Sequence, residues 1–125
     1  MEEFMTEIPE DVLDILYELG EEFYFDPLSS IESENYFINM ISNYQESDNE
    51  LETYLREQVK KDFKILEEAP EWIQNADWQY NNGKPMCFVG QIETQSSQKG
   101  CSYGMTFYVF WDMETGETKV VTQYD

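Results

Sequence analysis

Carboxylates are the commonest side chains in this sequence that can do chemistry. Two neighbouring carboxyl groups can share acid–base work, and Asp11/Asp14 and Glu67/Glu68 form such pairs. With 27 acids in 125 residues, a solvated surface produces the same spacings by chance. The chain has no histidine, which removes the commonest general base and Ser-His-Asp catalysis. We therefore predict that the chain is not an enzyme and has no catalytic residues.

The two cysteines lack the pattern of a metal site. Cys87 and Cys101 occur without a CxxC motif and without histidine, so zinc is not expected. No segment has the spacing of an EF-hand, a dinucleotide-binding loop or a P-loop. We expect no metal and no cofactor. We also expect reduced thiols, although pairing of the two cysteines stays open.

The net charge of −20 is the strongest bulk property. It disfavours direct binding to nucleic acid or anionic membranes and speeds encounter with basic surfaces. Residues 1–55 hold 16 of the 27 acids and none of the seven basic residues. A basic protein partner is one interpretation of this charge, and solubility alone is the other.

The beginning of the chain predicts a cytoplasmic location. Met1-Glu2-Glu3-Phe4 is acidic where a signal peptide is basic and then apolar. No apolar run approaches the roughly 18 residues that cross a bilayer. We expect no membrane contact.

Apolar residues recur at helical spacing before residue 67, which predicts an acidic helical part over residues 1–67. The first helix is expected over about 9–19, ending near Gly20. A second runs from Ser29 or Ser30 to about residue 43, and a third from Ser47 or Asp48 to about residue 66. The apolar stripes of these helices are Ile8, Val12, Ile15, Leu16 and Leu19; Ile31, Tyr36, Phe37, Met40 and Ile41; and Leu51, Tyr54, Leu55, Val59, Phe63 and Leu66.

The pattern after residue 67 is that of strands and predicts a sheet part over residues 68–125. Strands are expected at 86–92, 103–111 and 118–124, with a polar mobile loop at 95–100 and a left-handed Gly116 in the last turn. Residues 103–111 are apolar on both faces, which favours a central position. The predicted fold class is α+β: one domain over 1–125, with about three N-terminal helices packed on a C-terminal antiparallel sheet of three or more strands.

Two tryptophans, Trp72 and Trp78, flank a polar segment before the first predicted strand. They are explained either by covering a sheet edge or by anchoring a partner, since tryptophan is common at the centres of binding surfaces. Both explanations stay open at this point.

The sheet part carries a resemblance to a known family. PEWIQNADWQYNNGKPMCFVGQIE and TFYVFWDMETGETKVVTQ, within residues 70–124, resemble YwqG-like bacterial proteins, in which a Trp-Ile-Gln element precedes a Gly-x-Pro strand. The acidic part, 1–67, does not match that pattern. The resemblance implies a bacterial cytoplasmic origin and a role like that of toxin-immunity proteins.

These observations predict a binding inhibitor, such as a bacterial immunity protein that occludes the active or binding surface of a basic toxin, for example a nuclease. The alternatives are a DNA-mimic inhibitor, a non-catalytic subunit of a larger complex, and a small enzyme that uses carboxylates alone. The predicted contact residues combine an acidic helix face, its aromatic neighbours and the two tryptophans. They are Glu10, Asp14, Glu18, Glu21, Glu22, Tyr24, Asp26, Trp72 and Trp78.

Overall fold

A computed structural model describes residues 6–44, 50–98 and 101–124, and the side chains of 95–98 and 101–103 are outside this description. Three helices come first: α1 (Glu10–Phe23), α2 (Ile31–Ser42) and α3 (Leu51–Asp62). The strands follow as β1 (Tyr80–Asn81), β2 (Lys84–Pro85), β3 (Cys87–Gln98), β4 (Cys101–Trp111) and β5 (Thr118–Tyr124). The predicted α+β class, with helices first and an antiparallel sheet second, is confirmed. No helix within the described ranges is long and apolar enough to cross a membrane.

Helix α1 is longer than predicted, because Gly20 lies inside it rather than at its end. The helix ends at Tyr24, which has a left-handed backbone at φ 73°. The Gly20 carbonyl accepts hydrogen bonds from the N–H groups of Tyr24 (2.7 Å) and Phe25 (3.0 Å). A Cβ at position 20 would lie 2.3 Å from the Phe25 carbonyl oxygen, so the close return of the chain requires glycine here.

Helix α2 begins where the capping pattern places it. The Ser30 hydroxyl accepts from the Ser33 N–H at 3.1 Å, which satisfies one free donor of the first turn. Ile31, predicted to lie on the buried stripe, is instead 73 % exposed. Ile31 is the first residue of α2, and the buried residues of this helix begin only at Ser33.

Helix α3 has Glu50 as its N-cap residue, and the predicted caps Ser47 and Asp48 lie outside the described residues. The helix ends at Asp62, earlier than predicted. After it, Ile65 forms a parallel bridge with Phe88, so residues 64–66 pair with β3. This pairing leaves Leu66 exposed, and its predicted burial is wrong.

The main sheet is antiparallel in the order β3-β4-β5, which confirms the central position of β4. The predicted loop at 95–100 is wrong over 95–98, because β3 pairs with β4 as far as Gln98↔Cys101. Residues 99 and 100 are outside the described ranges. Backbone groups alone make this ladder, so the polar side chains of 95–98 do not prevent pairing. Gly116 has the predicted left-handed backbone, at φ 83°.

One hydrophobic cluster contains residues from the helices and from the sheet. Trp78 lies at the junction, with its ring centroid 5.1 Å from that of Phe63 and 5.4 Å from that of Phe110. Its indole N–H donates to the Met86 carbonyl at 2.9 Å. The largest side chain of the core therefore joins the two parts of the chain and has its polar atom satisfied.

The segment between α3 and β1 crosses the inner face of the sheet and is bound to it by polar side chains. The Gln123 amide oxygen accepts from the N–H groups of Ile73 and Gln74 at 2.9 Å, and its nitrogen donates to the Asn75 carbonyl. The Tyr108 hydroxyl donates to the Glu71 carbonyl at 2.8 Å. These bonds satisfy backbone groups of a segment that is neither helix nor strand.

Candidate protein-binding surfaces

The acidic face predicted on α1 is solvent-exposed. Glu10, Asp14 and Glu18 are all exposed, and so are two tyrosines of the same region, Tyr17 and Tyr24. Within the helix, Glu10, Asp14, Tyr17 and Glu21 are spaced by four, three and four residues, which keeps them on one face. We call these four residues, together with the exposed Tyr24 that caps the end of the helix, the α1 stripe.

Tyr17 was missing from the predicted contact residues. Its spacing of three from Asp14 and four from Glu21 was the available signal. Desolvation first, and then the charge of Asp26, raise the pKa of its hydroxyl. Tyr17 is therefore a neutral hydrogen-bond donor with an exposed ring, surrounded by carboxylates.

Glu22 differs from the other predicted contact residues because it is already paired. Its two carboxylate oxygens accept from Arg56 Nη1 at 2.7 and 2.8 Å. The hydrogen bond to Glu22 is the main cause that raises the pKa of Arg56, and the negative charge of Glu18 adds to it. The edge of α1 that faces α3 is thus partly neutralised, and the uncompensated charge lies on the α1 stripe.

Asp26 has a structural role in the turn after α1. Its Oδ1 accepts from the Leu28 N–H at 3.0 Å, an Asx-type turn. The residue is half-buried and lines a cavity of about 530 Å³ together with Asp77 and Ser29. Burial, and secondarily the Asp26 charge, raise the pKa of the Asp77 carboxyl.

The two tryptophans have different positions, and neither is a freely exposed anchor. Trp78 is 1 % exposed, so its predicted role in partner contact is wrong, and it is a core residue. Trp72 is half-buried and stacks on Tyr108 with ring centroids 4.5 Å apart. Its indole N–H donates to the Tyr24 carbonyl at 2.9 Å, which connects the sheet layer to the end of the α1 stripe.

A second surface, absent from the sequence prediction, is a cleft of about 500 Å³ between α2, α3 and the β1–β2 hairpin. Three of the seven basic residues, Lys61, Lys64 and Lys84, line it. The Tyr36 hydroxyl donates to Asp62 Oδ2 at 2.5 Å, and burial is the main cause that raises the pKa of Tyr36. Lys61 and Lys64 lie three residues apart around the end of α3, and tertiary structure brings Lys84 of β2 to them.

Cys87 also lines this cleft and is buried, as predicted for a core strand residue. Burial raises the pKa of its thiol, and the nearby Lys64 opposes that effect only in part. The thiol is thus protonated at neutral pH and a poor nucleophile. The side chain of Cys101 is outside the described part of the chain, so pairing of the two cysteines stays untested. Among the described residues, no three His, Cys, Asp or Glu side chains converge to hold a metal ion.

Comparison with known proteins gave no match to a protein-family model, a curated protein or a solved structure. The resemblance of residues 70–124 to YwqG-like proteins therefore stays a prediction from the sequence.

Proposed function

We propose that the protein is a binding inhibitor that holds a basic protein against the α1 stripe. The observation that carries the proposal is the arrangement of Glu10, Asp14 and Glu21 around exposed Tyr17 on one helix face, with exposed Tyr24 at the cap of that helix. The finer proposal is a bacterial immunity protein that occludes, in the cytoplasm, the active or binding surface of a basic toxin such as a nuclease.

Charge supports this choice of partner. The formal net charge is −20, and no Lys or Arg occurs before Arg56. A basic surface is attracted over distances of about a Debye length, roughly 8–10 Å at physiological salt. Such steering raises association rates by about 10 to 10³-fold. A nuclease presents positive charge because it binds phosphates, so it is the kind of toxin that this surface fits best.

The tyrosines support a contact that lasts after the encounter. Charges at the rim of an interface mainly change the association rate, whereas buried aromatic residues slow dissociation. Tyr17 lies on the exposed face of α1, and Tyr24 is exposed at the cap that ends this helix. Tyr17 therefore supplies an aromatic contact among the carboxylates, and Tyr24 supplies a second one at the end of the helix.

The test starts with a pull-down from the native host, which identifies the basic protein that binds this chain. Association rates are measured at low and high salt for the wild-type chain and for a triple reversal of Glu10, Asp14 and Glu21 to Lys. We expect the reversal to slow association at low salt by about 10-fold or more, and the difference to shrink at high salt.

A matched control reverses Glu57, Glu67 and Glu68 to Lys. All three are exposed and lie outside α1, so the net charge changes equally while the α1 stripe stays intact. Equal slowing by both triple variants would mean that total charge, not this face, steers the partner. If the purified partner proves to be a regulatory nucleic-acid-binding protein, the DNA-mimic alternative replaces the toxin assignment.

A further inference from the structure

One face of the main sheet packs on the core, and the opposite face has no layer over it among the described residues. Tyr108 and Phe110 of β4 are fully buried on the inner side. The register places the other set on the outside: residues 92 and 94 of β3, the odd-numbered residues 105–111 of β4, and the even-numbered residues 118–124 of β5. We call these ten positions the outer face. Four of its residues are exposed: Ile92 59 %, Val120 55 %, Tyr124 51 % and Trp111 38 %. Met105, Phe107 and Val109 of the central strand are half-buried, and Trp111 also lines the lysine-lined cleft.

The outer face carries no charged residue at any of its ten positions. Charged residues make up 27 % of the chain, so two or three would be expected on an ordinary solvated strand face. The strands do contain charges, but Glu93 and Lys119 occupy the alternate positions that face the other way. Lys119 even crosses the inner side to donate to the Tyr80 carbonyl at 2.7 Å.

We propose that the outer face is the contact between two copies of this chain, packed sheet against sheet about a two-fold axis. In such a contact each patch meets its own copy, so any charged patch would face a like charge. The outer face has no such charge, although the chain around it carries a net −20. A basic partner suits it poorly, because an apolar surface would bury the partner's charges without counterions.

Gly90 lies next to the outer face, opposite Val109, where the register of β3 on β4 shifts between Phe88 and Gly90. Glycine is common at such bulges. Its backbone is not in the left-handed region, unlike Gly83 and Gly116. A Cβ built on it meets no atom within 4 Å, so a side chain added here would project toward a second copy rather than into its own chain.

The size of the face predicts a weak dimer. Three strands about 4.8 Å apart, with β5 seven residues long, give a surface on the order of several hundred Å². This area is similar to that of the largest apolar patches on monomers, which are often functional. It is smaller than the ~800 Å² that each partner buries in a standard stable interface. We expect the dissociation constant of this dimer to lie in roughly the micromolar range.

The experiment is sedimentation of the full 125-residue chain over a range of concentrations, at low and high salt. Because two like-charged copies repel, we expect the dimer to tighten as salt rises, opposite to the salt effect on a basic partner. Val120→Glu places a charge in the outer face and should abolish the dimer. Ile31→Glu makes the same kind of change at an exposed residue of α2 and should leave it intact.

Gly90→Val separates loss of the dimer from loss of folding. The site has room for the side chain within one copy, so thermal stability at low concentration should stay equal or rise while the dimer weakens at least tenfold. A chain that stays monomeric up to about 1 mM at both salts overturns the proposal. A dimer that survives both Val120→Glu and Gly90→Val also overturns it, because another face must then form the contact. None of these results depends on the α1 stripe.

Discussion

Trp72 stacks on Tyr108 with ring centroids 4.5 Å apart, while its indole N–H donates to the Tyr24 carbonyl at 2.9 Å. One side chain thus contacts the central strand of the sheet and the end of α1. The Tyr108 hydroxyl completes the connection by donating to the Glu71 carbonyl, next to Trp72 in sequence. This arrangement positions Tyr24, the last residue of the α1 stripe, relative to the sheet.

Replacing Trp72 should therefore destabilise the whole fold. We expect Trp72→Ala to lower the free energy of unfolding by about 3 kcal/mol, the lower end for a large aromatic residue because Trp72 is half-buried. Trp72→Phe keeps a ring over Tyr108 and loses the indole hydrogen bond, so about 1 kcal/mol is expected. Urea unfolding followed by circular dichroism measures both. An alanine variant as stable as wild type would show that the stacking contributes little.

Gly20→Ala is the second stability test. We expect this substitution to destabilise the fold, although helix propensity alone predicts that it stabilises. Alanine is favoured over glycine in a helix interior by about 1 kcal/mol. Here the added Cβ would lie 2.3 Å from the Phe25 carbonyl oxygen, so the turn after α1 must move. We expect a net loss of roughly 2 kcal/mol, within the usual cost of overpacking.

Gly90→Ala is the matched control for that variant. Its Cβ meets nothing within 4 Å, so the monomer should gain about 0.5 kcal/mol from the lower flexibility of the unfolded chain. Thermal melts at low concentration compare the two glycines directly. If Gly20→Ala also proves stabilising, the close approach to Phe25 does not constrain this turn.

The element types were predictable because they follow from local periodicity. The stripe Val12, Leu16 and Leu19 repeats at helical spacing and is buried as expected. The alternation in β4 predicted that Tyr108 and Phe110 lie on the same side of the sheet. Because both sides of this strand are apolar, the pattern could not predict that this side faces the core. Capping chemistry predicted the start of α2 at Ser29 or Ser30, and Ser30 is the cap.

The errors occurred where distant parts of the chain meet. The end of α3 depends on the bridge between Ile65 and Phe88, 23 positions apart in sequence. Gly20 appeared to be a helix end because its contact with the returning Phe25 carbonyl is visible only in three dimensions. Tryptophan is common both in protein cores and at interfaces, so the sequence could not decide whether Trp78 is buried in the core or contacts a partner. The lysine-lined cleft was missed because Lys84 joins Lys61 and Lys64 only on folding.

Asp77 provides a prediction about pH. An ordinary aspartate titrates near 3.8, and burial followed by the Asp26 charge raises the pKa of Asp77 in the folded protein. The folded state therefore holds this proton more tightly, and stability is lost as the pH rises from 3.8 through the higher folded pKa. We expect Asp77→Asn to be more stable than wild type at neutral pH. The difference should shrink as the pH falls toward 3.8.

Asp112→Asn is the contrasting variant. The Asn81 side chain and the N–H groups of Glu114 and Thr115 donate to the Asp112 carboxylate and lower its pKa. Its stabilisation is present above pH 3.8 and is lost as the pH falls through the folded pKa. This variant should thus be less stable than wild type at neutral pH and approach it in acid. Thermal melts across pH 3 to 7, roughly the interval set by carboxyl titration, measure both. The same sign for both variants would contradict the assigned causes.

The last prediction concerns Tyr17 and rests on the proposed function. The carboxylates of the α1 stripe should act on association, because charge attracts at a distance, whereas Tyr17 should act on dissociation through direct contact. We expect Tyr17→Ala to raise the Kd for the basic partner about 30-fold, equivalent to about 2 kcal/mol, mainly through faster dissociation.

Tyr17→Phe keeps the ring and should retain most of the affinity. Tyr124→Ala removes an equally exposed tyrosine from the outer face and should leave the Kd unchanged. Surface plasmon resonance at a concentration where the chain is monomeric gives both rate constants. Equal effects of Tyr17→Ala and Tyr124→Ala on dissociation would exclude the α1 stripe as the contact, even if charge reversal at Glu10 still slowed association.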